Sequence, residues 1–320
     1  MKNLVTFGDS YTDESRLGYF MNHGHGPPPG ELTPESNQTS GGGYSWGRVA
    51  ANNTGAKYYD YAVAGAMCAN NITSHYFDLI KSLMPSILDY EIPTFEADLA
   101  FPKLYPDRHP DNTVYAVWIG TNDLGVDGFL TDRNVAGTSI PTFVDCIWNT
   151  FDRIYKTGGR RFVLLNTAPL EKSPMYASPA NGGTGDNQYW QNKTQYNMTE
   201  AQYKIFEYTS SVNALIEQGI PFQVLVKKQW PGVTFSLFDV HSLILDIRAA
   251  PEHYLTAPFN VTWPYRSCNP STGCQQSSLP LSNFLWYDEV HPSARVDEII
   301  ADEFLQVING SSKYGKTYRS

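Results

Sequence analysis

A three-layer α/β/α sandwich around a central five-stranded parallel sheet is the fold class predicted by this 320-residue sequence. Three observations carry that expectation. Val114-Tyr115-Ala116-Val117-Trp118-Ile119 and Phe162-Val163-Leu164-Leu165 are near-continuous apolar runs, which suit parallel strands covered on both faces. Amphipathic stretches alternate with such runs, as right-handed crossover connections require. At the N-terminus a short apolar strand runs straight into Gly8-Asp9-Ser10, which places a serine on a tight turn at a strand end.

Taken in order, the expected strands are Leu4–Phe7, Lys57–Val63, Thr113–Ile119, Arg161–Asn166 and Thr234–Val240. Helices are expected over Tyr44–Asn53, His75–Ile87, Thr94–Ala100, Ile140–Thr157, Thr199–Gln218 and Ser293–Ile308. The fourth of these stops at Gly158-Gly159. The fifth opens with a capping box, Thr199-Glu200-Ala201-Gln202, and stops at Gly219. No second core is visible, so residues 1–320 read as one domain. Pro251–Leu285 is a long Pro- and aromatic-rich insertion, of the kind that is usually functional or stapled.

Composition narrows the function classes. With 23 basic and 32 acidic residues the net charge is −9, and no basic tract exists to neutralise phosphates, so nucleic acid is not an expected partner. No apolar run is long enough to span a bilayer. The four cysteines permit two disulfides. Spacing favours Cys268–Cys274, whose closure adds roughly 2 kcal/mol in the chain-entropy model. Cys68 and Cys146 either pair by elimination or remain buried thiols. No two cysteines have zinc-ligand spacing, and neither a metal nor a cofactor is expected. Asn-x-Ser/Thr sequons stand at Asn37, Asn52, Asn71, Asn192, Asn197, Asn260 and Asn309. Together with the cysteines they point to a secreted, glycosylated protein. Strand residues follow Met1 almost at once, so the chain reads as a mature form with an added initiator Met.

The chemistry is expected beyond the carboxyl ends of the strands. Three turns lie there: Gly8-Asp9-Ser10, Ala62-Val63-Ala64-Gly65-Ala66 and Ile119-Gly120-Thr121-Asn122-Asp123. A fourth block, Asp288-Glu289-Val290-His291-Pro292, leads into the last helix. A serine hydroxyl needs a base to attack an acyl carbon. His291 is suited to take that proton near neutral pH, and Asp288 is placed to orient the imidazole. The backbone N–H groups of Ser10 and Gly65 and the Asn122 side-chain amide are candidate donors to an oxyanion.

These four blocks, in this order, resemble the SGNH (GDSL-type) hydrolases, named for blocks carrying Ser, Gly, Asn and His. The resemblance implies Ser10 as nucleophile, Gly65 and Asn122 as oxyanion donors, His291 as base and Asp288 as its orienter. A narrower resemblance rests on Ser45-Trp46-Gly47-Arg48-Val49, the sequons and the length. It is similar to the fungal carbohydrate esterases of family 16, which implies removal of acetyl groups from acetylated xylo-oligosaccharides and small sugar acetates. The expected partner is therefore an acetylated oligosaccharide bound by a monomer. Two alternatives stay open: a GDSL-type lipase or phospholipase acting on longer acyl esters, and a carbohydrate-binding protein that kept the scaffold without catalysis.

Other residues have plainer readings. Asp9 and Asp123 are expected to hold local turns. His23 and His25 read as solvated loop histidines, and His241, near Asp239, as a weaker rival base. Trp46 and Trp118 read as core, whereas Tyr11 and Trp286, beside the catalytic blocks, are the candidate pocket walls.

Overall fold

The computed structural model describes residues 1–320. Its first half contains β1 (Asn3–Gly8), α1 (Arg16–His23), α2 (Trp46–Thr54), β2 (Lys57–Asp60), a small hairpin β3 (Tyr76–Phe77) and β4 (Ser82–Leu83), α3 (Ile92–Asp98), β5 (Thr113–Trp118), α4 (Thr121–Leu124) and α5 (Ile140–Lys156). There follow β6 (Arg161–Leu165), α6 (Met198–Pro221), β7 (Thr234–Phe238), α7 (Val240–Ala249), a second hairpin β8 (Arg266–Asn269) and β9 (Gly273–Gln276), α8 (Ala294–Asn309) and β10 (Gly315–Arg319).

The main sheet has the order β10-β7-β6-β5-β1-β2. Five strands are parallel, and the order reverses direction between β1 and β5. That switch point opens a crevice at the carboxyl edge, the usual ligand position in such sheets. Gly8 pairs with Trp118, so the Ser10 and Asn122 turns leave the sheet side by side. Residues of β5 meet a helix layer on each face: Trp118 lies against Trp46 of α2, and Tyr115 against Phe95 of α3. Sixty-nine buried apolar residues form one continuous core between the layers.

The sheet has six strands, one more than the sequence suggests. Gly315–Arg319 adds β10 antiparallel to β7 at the edge. Its alternating Lys316, Tyr318 and Arg319 lack an apolar run, as befits an edge strand protected by charge. His75–Ile87 is not a helix. Lys81 adopts positive φ (51°) and turns the chain into the β3–β4 hairpin, whose Phe77 and Ile80 pack against Phe20, Val63, Ala66 and Met84. Apolar residues three apart serve this turn as well as they would a helix. Asn197, rather than Thr199, caps α6, its side chain accepting from the Glu200 N–H at 3.3 Å. Asp239 ends β7 early by capping α7. The start of α1 is set by Asp13, whose carboxylate accepts from the Arg16 and Leu17 N–H groups at 2.6 and 3.0 Å. Both disulfides are present, Cys68–Cys146 and Cys268–Cys274.

Gly8 shows why the turn before Ser10 needs its glycine. Its φ is +149°, and a Cβ there would lie 2.1 Å from the Trp118 carbonyl oxygen. Neither β1 nor β5 can move aside without breaking the sheet register. Gly8→Ala should therefore destabilise the protein by about 3 kcal/mol, from a strained backbone and an overpacked contact together. Urea unfolding that shows less than about 1 kcal/mol of loss would contradict this account.

Candidate active site

The four blocks converge on one side of the sheet. After β1, Asp9 accepts from the Tyr11 N–H at 3.0 Å and holds the turn that presents Ser10. Burial pushes the Asp9 carboxyl up to about 6. Ser10 Oγ lies 2.7 Å from His291 Nε2. His291 Nδ1 lies 2.9 and 3.0 Å from the two carboxylate oxygens of Asp288. The same carboxylate accepts the backbone N–H groups of Val290 and His291 at 3.0 and 2.9 Å, which holds acid and imidazole, three positions apart, in one tight turn. Ser293 then caps α8 through the Val296 N–H and donates to the Phe284 carbonyl, which anchors the turn at its far end.

The electrostatics of the pair follow from burial and contact. Burial alone would lower the His291 pKa, but the Asp288 charge and hydrogen bond outweigh it, and the net shift is upward. Burial alone would raise Asp288, but His291 and the two backbone N–H donors outweigh it, and the carboxyl is held below its ordinary range. The arrangement is an anion beside an imidazole that holds its proton more firmly than a free one.

Gly65 and Asn122 line the same cleft as Ser10 and His291, a cavity of about 420 Å³. The Asn122 side-chain amide donates to the Ala66 carbonyl at 2.9 Å, which leaves one N–H for a ligand. Gly65 has φ of +89°, and a Cβ there would press within 2.9 Å of the Met84 methyl. The Gly65 loop is fastened to the nucleophile turn by buried carboxylates. Glu91 accepts from Gly8 N–H at 2.9 Å and from Val63 N–H at 3.3 Å, and Asp13 accepts from Ala64 N–H at 2.8 Å. Asp123 is structural: it is fully buried, accepts from the Cys68 N–H and the Thr73 hydroxyl, and is pushed up to about 7 by burial.

Of the two expected pocket walls Trp286 is corrected, while Tyr11 lines only a small recess beside Ser10 and His291. Tyr11 is 4% exposed and donates its hydroxyl to the Val290 carbonyl at 2.7 Å, and Trp286 is fully buried. Both support the catalytic loop from behind, and neither lines the cleft. Trp46 and Trp118 are core, as expected, with their indole N–H groups bonded to Thr12 and the Asn166 carbonyl. His241 faces a separate pocket and contacts Asn213 and the Thr167 carbonyl, with Asp239 committed to Ser242 and Asn166. His23 and His25 are exposed, and no group of three His, Cys, Asp or Glu side chains is disposed to hold a metal ion. Six of the seven sequon asparagines are exposed; Asn260 is half-buried, its side-chain oxygen accepting from Thr262 and Trp263.

Tyr189 is the functional neighbour that the sequence did not disclose. Its hydroxyl donates to Asp288 Oδ2 at 2.7 Å, and its ring lies edge-on to His291 with centroids 5.5 Å apart. Burial first, and the Asp288 charge second, raise its pKa well above the ordinary phenol value, so it donates as a neutral hydroxyl at working pH. Glu289 holds this arrangement together. One of its oxygens accepts from Cys268 N–H and the Ser267 hydroxyl, the other from the Gln188 amide. The disulfide-closed β8–β9 hairpin is thus tied to the catalytic loop and to the residue beside Tyr189.

A serine, an imidazole, a carboxylate and aligned N–H donors in one cleft form the equipment of acyl transfer. The chain is a carboxylic ester hydrolase and belongs to the GDSL-like Lipase/Acylhydrolase family, which it matches over residues 4–304. It is 50% identical over 316 residues to an acetylesterase of Hypocrea jecorina, covering 98% of this chain and 90% of that one. An acetylesterase of Thermothelomyces thermophilus is 22% identical, with 97% and 89% covered. Among solved structures, a lipolytic G-D-S-L family protein of Veillonella parvula aligns over 96% of this chain and 98% of its own at 11% identity and a TM-score of 0.42.

Proposed function

We propose that this protein is a secreted serine esterase of the carbohydrate esterase family 16 kind, a single catalytic domain that removes acetyl groups from O-acetylated carbohydrates such as acetylated xylo-oligosaccharides. The observation that carries the reading is the hydrogen-bonded series Ser10–His291–Asp288. Half-identity to an acetylesterase over nearly the full length supports acetate as the acyl group. The exposed sequons and two disulfides support passage through an oxidising compartment.

In this mechanism Ser10 Oγ attacks the acetyl carbonyl carbon while His291 Nε2 takes the hydroxyl proton. Negative charge on the carbonyl oxygen is met by the N–H groups of Ser10 and Gly65 and by the Asn122 amide. Loss of one such donor costs roughly 10²–10³ in kcat. His291 then protonates the departing sugar oxygen, and the acetyl group remains on Ser10. Water, deprotonated by the same imidazole, hydrolyses that ester and returns the proton to Ser10.

The cleft also carries Phe77, Met84, Val126 and Met175, and this apolar lining is the observation that favours the second reading, hydrolysis of longer acyl esters. A series of 4-nitrophenyl esters from acetate to decanoate separates the two. The expected result is kcat/KM highest at acetate and lower by more than about tenfold at decanoate; a maximum at the long chains would replace the acetyl esterase with a lipase.

The pH profile follows from the geometry. His291 must be neutral to accept the Ser10 proton, and its pKa is raised above the ordinary value of about 6.5. Activity should therefore fall as pH drops through a pKa above that value. Tyr189→Phe withdraws a hydrogen bond from Asp288, leaves its charge less compensated and holds the imidazolium more tightly. The acid limb of kcat/KM should move to higher pH in that variant. An unmoved limb would mean that Tyr189 only fills space.

A further inference from the structure

Beside the catalytic cleft runs a second cavity, a polar trough of about 450 Å³ between α1 and the segment Pro34–Ser40. The two share Leu17, Ser40 and Ala64, so they form one continuous depression. We infer that this trough is the subsite for the leaving alcohol, and that it takes a neutral polyhydroxylated ring; the inference rests on the reading of Ser10 as nucleophile.

Direction comes first. The leaving oxygen must receive its proton from His291 Nε2, so the alcohol lies on the His291 side of Ser10. The small recess on that side is walled by Ser10, Tyr11, His291, Thr39 and Gly41. Thr39 also lines the trough, so the chain from Thr39 to Ser40 carries one continuous wall from the imidazole into it. The apolar residues Phe77, Met84, Val126 and Met175 line the cleft and not the trough. An acyl group and an alcohol thus find separate apolar and polar compartments.

Chemistry comes second. Of the 15 residues along the trough only three are hydrophobic. Asn22 and Gln38 are exposed on it, and their side-chain amides bond to nothing else in the protein, which leaves donors and acceptors for hydroxyl groups. Asp13, Glu14 and Glu35 give the lining a negative character. Asp13 and Glu14 are committed, the first to backbone N–H groups and the second to both arms of Arg48 at 2.7 Å. Glu35 also faces Arg48 at 3.5 Å, and no lysine or arginine lines the trough, so an anionic headgroup or a uronate finds no counter-charge there and a neutral ring is unopposed. The volume lies within the range of about 300–1,000 Å³ usual for small-molecule sites.

Gly18 keeps the trough open. It lies on α1 one turn before Asn22, and a Cβ built there meets no atom within 4 Å. A large side chain therefore fits the helix and occupies the trough. The test compares wild type, Gly18→Trp and the pair Asn22→Ala with Gln38→Ala on mono-acetylated xylobiose and on 4-nitrophenyl acetate. In both variants the ratio of kcat/KM for the sugar ester to that for the aryl ester should fall about tenfold, equivalent to some 1.4 kcal/mol of lost alcohol binding. Aryl activity in each variant reports an intact fold. A ratio within about twofold of wild type in both variants would overturn the assignment. So would a wild-type preference for an acetylated uronate over the neutral sugar, or wild-type turnover of the aryl ester with none of the sugar ester. If wild type hydrolyses neither substrate, the esterase reading fails before the subsite does.

Discussion

Ser10→Ala should lower kcat on 4-nitrophenyl acetate by about 10⁶, because members of a triad act as a unit and the residual rate then comes from oxyanion donors and binding alone. The fold should be unaffected. Ser10 is half-exposed at the cleft, and its hydroxyl bonds only to His291. His291→Ala should cost a similar factor, and the double variant little more than either alone, since each removes the same step. The three variants can be compared by steady-state rate and by labelling with a fluorophosphonate probe. Labelling and turnover that survive Ser10→Ala would sink the nucleophile assignment, and a wild type that neither labels nor turns over would make a binding protein on this scaffold the better account.

Loss of the Cys68–Cys146 disulfide is the second large effect. The bond closes a sequence separation of 78 residues. In the chain-entropy model that constrains the unfolded chain by about 4 kcal/mol. Cys68→Ala together with Cys146→Ala should therefore lower the melting temperature by roughly 6 °C. A functional loss should accompany it. The Cys68 N–H is bonded to buried Asp123, next to Asn122, and the Asn122 amide is bonded to the Ala66 carbonyl next to Gly65. The disulfide thus anchors to α5 the Gly65 loop that these bonds join to the turn after β5. Rates measured well below the melting temperature should show a lower kcat with little change in KM, the mark of donors met only by the oxyanion. Unchanged kcat with the expected fall in melting temperature would confine the disulfide to stability. The shorter Cys268–Cys274 loop, with a separation of 6, should matter less to stability.

Local signals explain what was legible beforehand. The central strands announce themselves by apolar runs, and each block follows its strand within a few residues, so the Ser10, Gly65 and Asn122 turns can be placed without coordinates. Asp288 and His291 share one turn, so their pairing is also local. The narrow misreadings have local causes as well. In His75–Ile87 the spacing of Phe77 and Ile80 fits a helix and a packed hairpin alike, and in Gly315–Arg319 the lack of an apolar run hides an edge strand. Trp286 adjoins the Asp288–His291 turn in sequence yet packs inward, because neighbours of a turn point to the core as readily as to the cleft.

By itself the sequence determined the order of the layers, the edge of the sheet where the four blocks meet and the serine, histidine and aspartate on which the proposed mechanism rests. It could do so because these depend on strand polarity and on residues a few positions apart. Only the tertiary structure decided which side chains finish the site. Tyr189 reaches Asp288 across 99 residues, Glu91 reaches Gly8 across 83, and the trough on α1 meets the cleft through Ser40 and Ala64. No periodicity or spacing encodes such contacts. They arise when loops of unrelated length are packed over one sheet edge, and burial then leaves each polar group the single partner within its reach.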